Sequence, residues 1–178
     1  LFPFLSSVYQ FFLTCRRKSN SKILKTPKQI PGMLTFDEDG YLTPDEPIEV
    51  DFETFIREFV INEHRADIFT EYRQMLTDLS SLSPGAFYQW INGSFVTRKA
   101  RPKDIDVVTF LSQQIYDEFE PLFRELRLKY PKVDAYFVKV YPEGHPRGFI
   151  TAFDQIEWRH LFSTDRRRRR KGFIHINF

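Results

Sequence analysis

Two aspartates flank a single isoleucine in the stretch YQWINGSFVTRKARPKDIDVVTFL, Tyr88 to Leu111, just where a valine-rich run begins. Residues two apart on a strand leave the same face, about 7 Å from one another along the backbone. Asp104 and Asp106 are therefore expected to present paired carboxylates while Ile105 and Val107 turn to the core. Carboxylates held that close repel unless a positive charge lies between them, and a divalent cation that takes hard oxygen ligands is the natural partner. The chemistry is that of a Mg²⁺ or Mn²⁺ site. Upstream, Gly93-Ser94 closes the preceding apolar run. A glycine there lets the backbone approach a ligand, and a serine hydroxyl with neighbouring amides can bind phosphate oxygens. Phosphate beside a metal-carboxylate pair suggests a nucleoside triphosphate. Arg98, Lys99, Arg101 and Lys103 lie in the loop between the two motifs and could contact a triphosphate, although a charged loop also reads as an ordinary solvated one.

These residues need a sheet to hold them. AFYQWI, IDVVTFL and VDAYFVKVY read as strands, each short and rich in β-branched or aromatic residues between turn signals. From Asp51, a plausible N-cap, the positions Phe52, Phe55, Ile56, Phe59 and Val60 form one helical stripe. A second helix carries Ile68, Phe69, Tyr72, Met75, Leu76 and Leu79 and ends at SSLSPG. SQQIYDEFEPLFRELRLKY is helical in pattern, with an interruption or restart expected at Pro121. A helix from about Ile150 to Phe162 and a final strand, GFIHINF, follow YPEGHPRG. This order predicts an α+β, or mixed α/β, domain over residues 48–178: a small mixed sheet flanked by helices. Residues 16–47 are rich in Lys, Ser, Pro and Gly, with turn signals at PGM and DEDGYLTPDEP, so 1–47 reads as an N-terminal extension and irregular linker. The chain carries no internal repeat.

Composition bounds what such a domain can do. A chain of 178 residues, 42% hydrophobic and 17% aromatic, can bury a full core. The formal charge of +2 hides an uneven distribution: Arg166 to Lys171, RRRRRK, holds six of the 26 basic residues, leaving 20 against 24 acidic ones elsewhere. Any polyanion attraction is thus local, and the run reads either as a salt-dependent nucleic-acid contact or as an exposed turn without interleaved aromatics. The single cysteine, Cys15, rules out an internal disulfide and a cysteine-rich zinc site, in keeping with a reducing, cytoplasmic location. The apolar start of LFPFLSSVYQFFLTCRRKSNSK is too short for a bilayer, which takes about 20 apolar residues. Its charges follow the apolar run, whereas those of a signal peptide precede it, so an upstream extension or packing arm is expected and no stable membrane insertion. His64, His145, His160 and His175 show no metal-ligand spacing, and no G-x-S-x-G elbow surrounds Ser94.

Gly93-Ser94, nine residues from Phe95 to Lys103, the Asp104-Ile105-Asp106 pair and a further acid, Asp134 in KVDAYFV, together resemble the polymerase-beta-type nucleotidyltransferase superfamily. Its hallmark is hydrophobic-Gly-Ser, a short gap, Asp-hydrophobic-Asp and a third carboxylate on a later strand. The resemblance covers residues 86–141. WINGSFVTRKARPKDIDVV with RHLFSTDRRRRRKGFIHI is further similar to a bacterial branch of nucleotidyltransferase-like proteins, from about Ile30 to the end. The resemblance implies that Asp104 and Asp106 ligate metal, that Asp134 completes the site and activates the attacking hydroxyl, and that Gly93 and Ser94 hold the β and γ phosphates. Lys99 is placed beside the nucleotide by its position in the charged loop and not by the resemblance. The resemblance further implies in-line transfer of a nucleoside monophosphate from an NTP such as ATP to a protein, RNA or small molecule, with pyrophosphate leaving. Asp134 can equally be read as an exposed acid at the start of a strand. The alternative to an enzyme is an inactive module of the same fold, a binding or regulatory partner in a toxin–antitoxin or defence system. Three carboxylates favour the enzyme, because a retired site has no physical reason to keep repelling charges together.

Overall fold

The computed structural model describes residues 34–82 and 85–178; Cys15, the N-terminal arm and the PGM turn lie outside the described residues. Each apolar run expected to be a strand is one: β4 (Tyr88–Asn92), β5 (Ile105–Ser112), β6 (Val133–Val140) and β7 (Phe173–Asn177). Residues 35–49, of which those to 47 are expected as irregular linker, carry three more short strands. Among them β1 (Thr35–Phe36) and β2 (Leu42–Thr43) pair as an antiparallel hairpin, and β3 (Pro47–Glu49) joins the main sheet. The turn signals are the corner of that hairpin: the Asp37 carboxylate accepts from the Asp39 and Tyr41 amides at 3.0 and 2.9 Å, and Gly40 takes a φ of 79°. Strands of two or three residues show no alternation to read from sequence.

The sheet runs β3-β7-β4-β5-β6, with β3 and β7 parallel, β4 antiparallel to both β7 and β5, and β6 parallel to β5. Helices cover both faces, so the chain is an α+β domain around a mixed sheet. On one face lie α1 (Phe52–Phe59), capped by Asp51 Oδ1 accepting from the Thr54 amide at 2.6 Å, α2 (Glu63–Leu82) and α3 (Gln113–Lys129). Their Phe55, Phe59, Tyr72, Met75 and Phe123 pack against Ile91, Val107, Leu111 and Ile174 of the strands. On the other face α4 (Gly148–Phe162) sets Phe162 and Trp158 against Trp90, Val108, Phe110 and Phe173. α3 passes unbroken through Pro121, where an interruption was expected. Proline in a helix interior costs about 3 kcal/mol; burial of Phe123 and Leu126, at about 1.5–3 kcal/mol per side chain, offsets it and holds the axis.

Candidate active site

The strand directions bring four separate chain segments to one end of the sheet. β4 finishes there with Asn92, β5 and β6 carry Asp106 and Asp134 there as their second residues, and Lys171 arrives just before β7. Asn92 is the register partner of Asp106, and Asp106 of Asp134. Register partners share a face, so the three form a row across β4, β5 and β6, neighbouring strands being about 4.8 Å apart. Lys171, buried, donates from Nζ to Asn92 Oδ1 at 2.6 Å and extends the row by a cation. Asp104 stands one residue outside the strand, not on it, yet lines the same cleft.

After Asn92 the chain turns through a single 3₁₀ turn, Gly93–Val96. Gly93 has a φ of 77°, and a Cβ there would overlap Asp106 Oδ2 and lie 2.9 Å from Asp106 Cγ. Only glycine lets the Asp106 carboxylate lie against this backbone. Ser94 follows at once and also faces the cleft.

The loop from Thr97 to Lys103 is held from below by α2. Arg65, fully buried, donates to the carbonyls of Phe59, Phe95 and Lys99, the last at 2.7 Å, and its guanidinium stands 4.6 Å from the Phe95 ring centroid. Burial, with Arg98 nearby, pulls its pKa down to about 10. Asn62 Nδ2 donates to Ala100 O at 3.0 Å and His64 Nε2 to Pro102 O at 2.6 Å. The β1–β2 hairpin forms the opposite wall, anchored by Arg98 N donating to Gly40 O at 2.9 Å. Between them opens a cleft of about 1010 Å³.

The basic run splits into separate jobs. Asp165 Oδ1 accepts from the amides of Arg167 and Arg169, both at 2.8 Å, and folds the run into a turn. Arg169 pairs with Asp37 and Asp39 of the hairpin and Arg170 with Asp45, while Arg166 and Lys171 face the cleft. Arg167 and Arg168 remain exposed.

Burial raises the Asp106 pKa, and the Asp104 and Asp134 charges push it further up against the opposing pull of Lys171 and Arg166. Lys171 is driven down to about 8, because burial outweighs the attraction of Asp106 and Asp165. In donor chemistry the three carboxylates fit a hard divalent cation. Asp134 Oδ2 accepts from the Tyr136 hydroxyl at 3.2 Å, and among the described residues no three acidic, histidine or cysteine side chains converge into a ready metal cage.

Gly93, Ser94, Lys99, Lys103, Asp104, Asp106 and Asp134, all singled out from sequence, thus line one cleft together with Arg98, whereas Arg101 does not. Sequence reasoning did not find Asn92, nor Lys171 as a buried cation; the only signal for Lys171 was a basic run ending directly at a strand. Among the described residues no helix is long and apolar enough to cross a membrane. No curated protein and no solved structure matches the chain. A family model matches residues 34–177, a span holding the whole sheet and every residue of the cleft, and the chain accordingly belongs to DUF6932, a family of unknown function.

Proposed function

We propose that this protein is a metal-dependent nucleotidyltransferase that passes the nucleoside monophosphate of an NTP to an acceptor hydroxyl. One observation carries the reading: the row Asn92, Asp106, Asp134 opens into a cleft in which a glycine-serine turn lies against the Asp106 carboxylate. Acids placed side by side destabilise a protein that binds no cation, and backbone amides beside them suit phosphate oxygens. Asp104, Asp106 and Asp134 would hold Mg²⁺ or Mn²⁺, which when bound supplies charge neutralisation at the transferring phosphate. The Gly93–Val96 turn and Ser94 take the β and γ phosphates, and Lys99, Lys103 and Arg166 add positive charge along the cleft wall. Asp134, on the sheet-edge side of the row, receives the proton of the acceptor hydroxyl. The acceptor oxygen forms its bond to the α phosphorus as the α–β bridging bond breaks, and pyrophosphate leaves.

The test is a thermal-shift titration with Mg²⁺ or Mn²⁺ and each NTP. A ligand at about 100 times its Kd stabilises by about 2.7 kcal/mol, a shift of several degrees for a domain of this size. Asp104→Asn and Asp106→Asn are expected to abolish the shift and pyrophosphate release while keeping the circular dichroism of the wild type, since removing one of several like charges does not unfold the protein. An unchanged melting temperature in the wild type would overturn the enzyme in favour of the binding module.

A further inference from the structure

The cleft does not end at Asp134. A hollow of about 410 Å³ shares Asp104 and Asp134 with it and is walled by Arg124 and Arg127 of α3. The same two arginines line a larger hollow, about 600 Å³, between α3 and α4. Its floor is β6, the edge strand, whose outer side pairs with no other strand among the described residues. Adjoining hollows therefore form a trough along the sheet edge, divided by the two arginines, up to the carboxylates.

Its lining combines aromatic rings with charges of both signs. Tyr136 and Trp158 stand with ring centroids 4.9 Å apart at 54°, and the Arg127 guanidinium lies 4.7 Å from the Tyr136 centroid. Tyr116 and Tyr141 line the far end, both partly exposed. Arg124 and Arg127, one helical turn apart and exposed, form no ion pair among the described residues, whereas Lys139 is paired with Asp117. Glu120 and Asp154 also face the trough, so its free positive charge is concentrated at the two arginines, next to the acids.

We propose that this trough binds a single-stranded nucleic acid and leads its end to the carboxylate row. Nucleobases stack on aromatic faces and on guanidinium planes irrespective of sequence, and free arginines neutralise the backbone phosphates. A duplex presents its bases already stacked, and so cannot use Tyr136 and Trp158. Naming the strand as the acceptor rests on the nucleotidyl-transfer reading; binding to the trough does not.

The experiment is a fluorescence-anisotropy titration of the full chain with a labelled single-stranded RNA of about ten nucleotides and with its duplex, at two salt concentrations. The single strand is expected to bind more tightly than the duplex. The slope of log affinity against log salt is expected near −1.4, about 0.7 for each of two phosphates neutralised. Arg124→Ser combined with Arg127→Ser, both exposed and harmless to folding, should weaken binding at least about tenfold and flatten the slope. Binding should quench the Trp158 emission, a signal that Trp158→Phe removes while the buried Trp90 remains. No RNA binding, equal binding of the duplex, or affinity untouched by the double substitution would overturn the proposal and leave the open β6 edge to a peptide. The metal–NTP thermal shift is measured on the same samples. A shift without RNA binding sinks the trough alone, whereas RNA binding without a shift sinks nucleotidyl transfer and leaves the trough standing.

Discussion

Lys171 is the residue whose chemistry depends most on where the fold puts it. Its ammonium is buried beside Asn92, and its pKa of about 8 lies below the ordinary 10.5 of a lysine. The unfolded chain therefore binds more protons between those two values, and the contribution of this group to stability rises as pH is raised through them. Urea unfolding of the wild type and of Lys171→Met at pH 7.5 and pH 10 should show the wild type gaining on the variant at the higher pH. Parallel behaviour would mean that Lys171 is solvated like any surface lysine. At this scale the sequence was readable where chemistry is local: Gly93, Ser94, Asp104 and Asp106 lie within 14 consecutive positions, and strand alternation with turn chemistry foretells their meeting. Lys171 was not readable, because its burial is decided by Asn92, 79 residues away. Asp134 is intermediate: its strand was legible, but its partnership with Asp106 is a matter of register between strands joined by a long helix.

Among the elements, the 97–103 loop owes its shape to the start of α2, where Arg65, His64 and the preceding Asn62 hold its carbonyls and Arg65 is the buried member. Arg65 has no carboxylate partner among the described residues; its acceptors are three backbone carbonyls that stay in place whatever residue 65 becomes. Replacing a buried ion pair with apolar residues is often neutral, but that logic fails here, since each carbonyl left unpaired costs about 1–3 kcal/mol. Arg65→Met is expected to lose about 3–5 kcal/mol and to speed amide exchange across residues 97–103. A loss under about 1 kcal/mol, by denaturant titration, would show the carbonyls rehydrating freely. The pattern of Ile68, Phe69, Tyr72, Met75, Leu76 and Leu79 announced α2 plainly, but an arginine ahead of that stripe looks like a solvated first-turn residue. Likewise Pro121 carried a true local preference that the packing of Phe123 and Leu126 overrode.

For the whole molecule, the cleft is a joint property of a core and an appended hairpin. β1 and β2 pair through two residue pairs, too few to hold a hairpin alone, so the wall they form leans on its surroundings: buried Leu42, the Gly172 and Arg98 amides donating to Leu42 O and Gly40 O, and the pairs of Arg169 with Asp37 and Asp39 and of Arg170 with Asp45 just beyond. Exposed ion pairs contribute about 0–1 kcal/mol each. Arg169→Ser with Arg170→Ser should therefore lower global stability by only about 1–2 kcal/mol while greatly accelerating amide exchange at residues 35–43. Unaltered protection there would show that buried Leu42 and the backbone bonds to Gly40 and Leu42 suffice. The strand order has a further consequence. β7 lies between β3 and β4, in the interior of the sheet, although it follows every other strand in the chain. While the polypeptide is being made, β3 has no neighbour and one side of β4 stays bare until residues 173–177 have left the ribosome. Lys171 and the turn that closes the cleft emerge only just ahead of them. The nascent chain thus passes through a stage with an open sheet and an incomplete site, a window in which the bare strand edges are open to wrong pairing.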